Sequence, residues 1–355
     1  MKKWVKGLLI IGIITSGTFS LLLAPIVPVF LTEYRVIPND IGINQINLIV
    51  NTDTSNIQID YASSNDSDLI ELTCGYTVRH SVLVPPSNLP INFQKYNNSG
   101  ILTVIATIDV QGIQYGTIVS SSTLITINPR LISNLTIASH SGNIDLITTN
   151  FQNLTFQDVN LTTLHGNCFT TFIPGCIIQG NLSILTSSGN NRLIVSPNCE
   201  IEGQLIANTT TGNNEVTFGE NCTIGNDFFV QTTTGTCIFT VTNCSLNNKN
   251  ITGILESSSG AINSTITQWV NPNGNLTLDV DSVSGNCRLI MDYSNSSFAS
   301  TIYYTTGTGN IFYDGFVGFN AILGGNRSKN WPLSSIVNVT IDTNSGNIYL
   351  QGGFS

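Results

Sequence analysis

The stretch Leu182-Ser183-Ile184-Leu185-Thr186-Ser187-Ser188-Gly189-Asn190-Asn191-Arg192-Leu193 holds the pattern that decides the fold. Leu182 and Ile184 stand seven and five residues before Gly189, and Leu193 stands four after it. Apolar alternation with a period of two on both flanks of a glycine reads as strand, turn, strand. The unit returns at Gly142, Gly166, Gly189, Gly212, Gly235, Gly260, Gly285, Gly309 and Gly346, at intervals of 24, 23, 23, 23, 25, 25, 24 and 37 residues. Self-similarity at such a period marks a repeat architecture.

Fixed offsets from each glycine sort the columns. Seven residues before it stand Leu135, Val159, Leu182, Leu205, Phe228, Gly253, Leu278, Ile302 and Val339; five before it stand Ile137, Leu161, Ile184, Ala207, Val230, Leu255, Val280, Tyr304 and Ile341. Only Gly253 breaks the apolar pair of columns. Two residues after the glycine come Ile144, Cys168, Cys237, Ile262, Cys287, Ile311 and Ile348. The turn reads Ser-Gly-Asn in four copies, at Gly142, Gly189, Gly285 and Gly346, with glycine expected to supply positive φ and asparagine to tolerate it. No segment after the N-terminus sustains helical spacing, and Thr, Asn, Ser, Gly and Ile are poor helix formers. The expected fold is therefore an all-β solenoid over 131–355. Nine layers stacked at roughly 4.8 Å make a rod about 40 Å long.

The near and far ends depart from the period. Over 32–130 a degenerate first unit is legible, with Leu48 and Val50 before Ser55-Asn56 and Ile57 and Ile59 after. The rest of that segment is expected to cap the near end as irregular antiparallel sheet. The 37-residue interval holds an insertion at 315–335 carrying Phe316, Phe319, Trp331 and Pro332, expected to cap the last edge, with a protruding recognition loop as the alternative.

Charge and the N-terminus bound the location and partners. The chain has 355 residues, is 41% hydrophobic and 9% charged, and carries a net charge of −9 with only 12 Lys and Arg. No basic stripe exists to track phosphates, which excludes nucleic acid as a partner. Residues 7–31 are uncharged and long enough to span a bilayer as a helix, behind Lys2, Lys3 and Lys6 in a 1–6 stub. The positive-inside rule places that stub in the cytoplasm and the remaining chain outside; a cleaved signal peptide is the alternative. Sequons at Asn134, Asn153, Asn181, Asn221, Asn250, Asn275 and Asn338 would then be open to N-glycosylation.

Of eight cysteines, Cys176, Cys199, Cys222 and Cys244 lie ten, ten, ten and nine residues after their glycines, in one column of successive layers. They are either two vertical disulfides, Cys176 to Cys199 and Cys222 to Cys244, or a ladder of buried thiols. Cys168, Cys237 and Cys287 share a core column, and Cys74 stands alone. No cysteine pair has the spacing of a zinc finger.

The run Ile341-Asp342-Thr343-Asn344-Ser345-Gly346-Asn347-Ile348-Tyr349-Leu350, echoed from Leu135 to Leu146, resembles the repeat unit of the bacterial and archaeal "putative adhesin" family. The resemblance runs from about Ile46 to Leu350. It implies serial strand-turn-strand units in a β-solenoid behind one membrane segment, and it implies no catalytic residues. The chain departs from the family in placing Asn where Asp is more frequent after the glycine, and in its cysteine column.

Chemistry-bearing residues are sparse. The acids occupy mostly different offsets, although Asp279 and Asp281 flank Val280 on one outward face. His140 and His165 fall at near-equivalent positions of adjacent layers and read as polar turn residues rather than metal ligands. No phosphate loop, dinucleotide fingerprint or nucleophile elbow is present. Outer rows such as Thr209-Thr210-Thr211, Thr232-Thr233-Thr234 and Ser257-Ser258-Ser259 offer hydroxyls to glycans or serve solubility. The expectation is a single-pass membrane-anchored surface protein, adhesive or structural, that meets glycans or other surface proteins and needs no cofactor, metal or catalytic residue. The alternatives are a polysaccharide-acting enzyme using Asp279, Asp281 or Asp292, and an envelope-sensing ectodomain with a membrane partner.

Overall fold

Thirty strands, threaded as two large, mostly parallel sheets, make up the described part of the chain. The structure is a computed structural model and describes residues 26–65, 67–81, 91–108, 116–148, 153–268, 270–293, 299–317, 319–322, 324–328, 333 and 335–354. Most of the 7–31 apolar segment and the whole 1–6 stub, as well as Trp331 and Pro332, lie outside these residues. The end of that segment is strand rather than helix: Ile26–Ile37 pairs antiparallel with Ile70–Ser81. Its Val and Ile residues favour an extended backbone, and Pro28, which lacks a donor, is accommodated because the strand lies at a sheet edge. No helix among the described residues is long and apolar enough to cross a membrane.

Each middle repeat forms one layer with three sides. Leu182–Ser188 lies in one sheet, here sheet B; Asn191–Val195 lies in the thirteen-stranded sheet A; and Glu200–Ile201 forms a two-residue third side. The next layer repeats this 23 residues on, with Leu182 opposite Leu205, Asn191 opposite Asn214 and Glu200 opposite Thr223. Like side chains stack on like, so inward Leu, Ile, Val and Phe close a dry core between the sheets. Gly253, the exception in its column, makes room for a neighbour: a Cβ there would stand 2.1 Å from the Phe228 ring. That ring stacks on Phe239 with centroids 4.7 Å apart.

The turn glycines form a ladder whose chief reason is space. A Cβ on Gly189 would lie 1.9 Å from the Gly166 carbonyl oxygen, and one on Gly309 would lie 1.7 Å from that of Gly346. The column begins at Ser55, whose hydroxyl meets Thr123 Oγ1 at 2.9 Å under a strand that runs straight through, without a glycine turn. Where asparagine follows the turn glycine, it serves hydrogen bonding rather than positive φ. Asn56 Oδ1 accepts from the Asn143 amide, Asn143 from Asn167, Asn167 from Asn190, and Asn190 from Asn213, at 2.8 to 2.9 Å. Five of the turn glycines, Gly166, Gly189, Gly212, Gly235 and Gly260, take positive φ as expected, and positive φ recurs at the second corner in Asn153, Gly175, Asn198, Asn221 and Asn243. All but Asn153 immediately precede the members of the cysteine column.

The layers are not stacked in chain order at the two ends. Gln45–Thr52 lies between Ile101–Ile108 and Ile132–Ser141, and Asn56–Tyr61 lies between Gly116–Ile127 and Ile144–Ile147. At the far end, Ile336–Thr343 lies between Asn275–Ser282 and Ala299–Thr306, while Ile348–Phe354 lies between Cys287–Tyr293 and Ile311–Val317. Gly346, the last turn glycine in sequence, therefore stacks between Gly285 and Gly309. The antiparallel pair Phe319–Ile322 and Gly325–Ser328, within the 315–335 insertion, continues sheet B beyond Ala299–Thr306. At the near end Ile91–Asn98 and Ile70–Ser81 pair antiparallel with the outermost parallel strands.

Candidate interaction surface

The hydroxyl rows divide between core and surface. Thr209, Thr232 and Ser257 are buried, because a threonine or serine three residues before the glycine donates to the glycine carbonyl of the layer below. Thr209 Oγ1 reaches Gly189 O at 2.8 Å, Thr232 Oγ1 reaches Gly212 O at 2.9 Å, and Ser257 Oγ reaches Gly235 O at 3.2 Å. Only Thr210, Thr211, Thr233, Thr234, Ser258 and Ser259 face solvent. Two acids are taken up in a similar way at the third corner. Asp158 Oδ1 accepts from the Asn181 amide at 2.7 Å, and Asp227 Oδ1 accepts from the Thr252 amide at 2.8 Å.

The remaining acids are less scattered than their spread of offsets implies. Glu256, Asp281 and Asp342 each stand four residues before a glycine, and the strand order sets them opposite one another on three adjacent strands of sheet B. Gln231 Nε2 caps the row, donating to Glu256 Oε2 at 2.7 Å. Asp279 lies in the parallel row, opposite Thr340. Asp292 is on sheet A, so the three aspartates of the enzyme alternative do not share a face.

His140 and His165 do meet, edge to face, with ring centroids 5.7 Å apart, and both are exposed. No group of three or more His, Cys, Asp or Glu placed to hold a metal ion occurs among the described residues. All eight cysteines are buried free thiols. Within the cysteine column, Cys199 donates to the Ile173 carbonyl at 3.0 Å and Cys222 to the Ser196 carbonyl at 3.1 Å. The pairs expected from the spacing are thiol neighbours: hydrogen bonding to Cys199 pushes the Cys176 thiol up, and the same contact holds Cys199 below its ordinary value. Cys222 is lowered and Cys244 raised in the same manner. In the core column burial pushes Cys237 up to about 12, and Cys287 too rises to about 12, through burial first and then the nearby Asp281 and Asp342 charges.

Among the sequon asparagines, Asn153, Asn181, Asn221 and Asn250 are exposed, whereas Asn134, Asn275 and Asn338 are half-buried within strands. Three of the side chains already hold neighbours: Asn181 Oδ1 accepts from the Gln204 amide at 3.0 Å, Asn275 Oδ1 from the Ile336 amide at 2.9 Å, and Asn250 Oδ1 from Asn275 Nδ2 at 2.8 Å.

No family model matches the chain, and no curated protein matches it. Among solved structures it is similar to one described as a "putative cell adhesion protein" from Clostridium sporogenes ATCC 15579. The two are 10% identical, the match covers 91% of this chain and 100% of that one, and the TM-score is 0.24.

A groove on the outer face of sheet A was not anticipated. It holds about 390 Å³ and is lined by Asn263, Arg288, Phe312, Asp314, Tyr349 and Gln351, among others. Arg288, Tyr349 and Phe312 each stand three residues after a turn glycine, so the ruler that sorted the core columns also locates this row. The offset was legible; that the Gly346 layer sits between the other two was not.

Proposed function

We propose that the chain is a β-solenoid displayed on a cell surface, held to the membrane by the apolar segment that precedes the strand Ile26–Ile37, with its N-terminus in the cytoplasm. In this reading it is an adhesive or structural module that binds glycans or other surface proteins through its side faces and performs no catalysis. The observation that supports it most is the use the fold makes of its polar groups. The buried hydroxyls, the asparagine ladder and Asp158 and Asp227 all hold one layer to the next. Outward on the middle layers, Thr, Ser, Asn and Gln recur at about the 4.8 Å strand spacing, beside half-buried apolar residues such as the row Ile206, Phe229 and Ile254. A rigid surface of neutral donors and acceptors at a fixed repeat suits recognition of flat polar ligands. Antiparallel strands at both ends leave the side faces as the long open surfaces.

The test uses the purified full-length chain in detergent against a panel of neutral and acidic glycans and immobilised cell-surface extracts, with cleavage products assayed on the same samples. Saturable binding without products is expected. Turnover of any glycan, abolished by Asp281→Asn or Asp292→Asn, would overturn the reading in favour of an enzyme.

A further inference from the structure

We infer that the groove near the far end of sheet A is a carbohydrate subsite that takes a neutral pyranose unit of a glycan; the inference rests on the adhesive reading and names the ligand class for one place on the surface. Four adjacent strands build it, Ile262–Gln268, Cys287–Tyr293, Ile348–Phe354 and Ile311–Val317, paired in parallel and in register. Their outward residues form a row in which Asn263 is opposite Arg288, Arg288 opposite Tyr349, and Tyr349 opposite Phe312. The Phe312 and Tyr349 rings are near-parallel, 13° apart with centroids at 5.0 Å, and Phe312 remains 45% exposed. Two residues further along the strands, Gln351 is opposite Asp314 and Ile290.

The chemistry of this lining is mixed in a way that suits one class of ligand. A pyranose presents an apolar C–H face and an edge of hydroxyls. Aromatic rings complement the face, and planar guanidinium, carboxamide and carboxylate groups make paired hydrogen bonds to neighbouring hydroxyls. The groove offers both. Its planar groups are also held in place: Arg288 donates to the Gln351 carboxamide, and Asn347 Nδ2 donates to the Tyr349 hydroxyl at 3.3 Å. One cation, Arg288, and one anion, Asp314, line the same space, so a neutral sugar is favoured over an acidic one. A volume of about 390 Å³ accommodates one or two sugar rings, within the usual range for small-ligand sites. The row lies on paired strands rather than on a loop, with Phe312 on the edge strand of the sheet, so the lining is built on regular backbone before the ligand arrives.

The experiment measures binding of neutral hexose and N-acetylhexosamine disaccharides to the full-length chain by ligand-observed saturation-transfer NMR and by calorimetry. Phe312→Ala, Tyr349→Ala and Arg288→Ala are each expected to weaken binding by about tenfold. Phe312→Leu, which keeps the apolar bulk, tests the ring itself and is expected to behave like Phe312→Ala. Phe169→Ala, an exposed aromatic in the same outward row at a distance from the groove, is expected to leave affinity unchanged. Thermal melting of each variant checks that the fold persists. If the wild-type chain binds surface extracts or glycans and the three groove variants bind them equally well, the subsite is overturned while the adhesive reading stands. If the wild-type chain binds nothing on the panel or in the extracts, both are overturned.

Discussion

From Thr155 to Tyr293 every layer rests on the layer before it in sequence, whereas at each end an inner layer is supplied from elsewhere in the chain. The near end encloses the earliest repeat, Gln45 to Tyr61, beneath strands that come later. The far end closes by threading the last repeat, Ile336 to Phe354, under an earlier one. A regular repeat fixes what may stack on what, since any layer with the same columns fits any other, but it leaves order free. Order is then decided where the regular stack must stop. In both places the outermost layer has strands that pair antiparallel with a neighbouring segment, and a layer of that kind serves as a lid better than a regular one does.

Removing residues 336–355 tests this comparison with the largest effect. Val337, Val339, Ile341, Ile348 and Leu350 are all buried in that layer. At roughly 1.5–3 kcal/mol per buried side chain, the loss is on the order of 10 kcal/mol, concentrated at the far end. Hydrogen exchange should show Ala299–Thr306 and Ile311–Val317 losing protection while the strands from Val159 to Gln268 keep it. If the 299–317 layer instead stayed protected, resting directly on Cys287–Tyr293, the threaded order would be wrong.

A substitution in the regular stack comes next. Gly189→Val sets a side chain against the Gly166 carbonyl, where a Cβ alone would stand at 1.9 Å from backbone that cannot give way. A loss of about 4 kcal/mol or more is expected, at the extreme of single-residue effects. Gly324, in the end hairpin, has nothing within 4 Å of a notional Cβ but a φ of +73°. Gly324→Ala should cost only about 1 kcal/mol, from backbone strain alone. Urea denaturation of the two variants reads the contrast between ladder and lid.

These cases mark what could be read from the residues. The core columns were legible because burial imposes a period of two around every glycine, and Leu182 over Leu205 follows from counting. The strand order was not legible, because Asp281 to Asp342 is a distance of 61 residues that no local period announces. The two-residue third side, as at Glu200–Ile201, was too short to show alternation. The Asn-Cys pairs at 198–199, 221–222 and 243–244 were visible, yet the asparagines that adopt positive φ were sought at the glycine turn. The acid row was missed for a simpler reason: Glu256, Asp281 and Asp342 share one offset, which a survey of spread conceals. The Arg288, Tyr349 and Phe312 row was missed in the same way.

The buried thiols provide a smaller, pH-dependent contrast. Cys237, in the regular stack, and Cys287, beside the far-end acids, are both pushed from an ordinary 9.0 up to about 12. Since the unfolded chain releases these protons first, their contribution to stability is complete below pH 9 and declines as pH rises toward 12. Cys237→Ala and Cys287→Ala should each flatten the fall of urea midpoint across that window relative to wild type. An unchanged slope would mean that neither thiol is held in its neutral form by the fold. Disulfide-reactive dye should find all eight thiols after denaturation and react slowly with the native chain.

The smallest effect concerns charge on the far end. In the middle of sheet B the outward row is neutral, with Asn208 opposite Gln231; beyond it the row becomes Glu256, Asp281 and Asp342. Like charges directly opposite one another on neighbouring strands destabilise a sheet, and Asp281 has a carboxylate on both sides. Asp281→Asn removes both repulsions at once while keeping the shape of the side chain, and it should raise stability by about 0.5 kcal/mol at low salt. The gain should shrink as ionic strength rises, because these carboxylates are solvent-exposed or nearly so and screening weakens their repulsion in the wild type. Asn208→Asp, placing a carboxylate beside the neutral Gln231, should change stability little and show no such salt dependence. A gain for Asp281→Asn that persists in high salt would point to packing rather than charge, and no gain at all would mean that the far-end strands do not lie in the register that brings the three acids together.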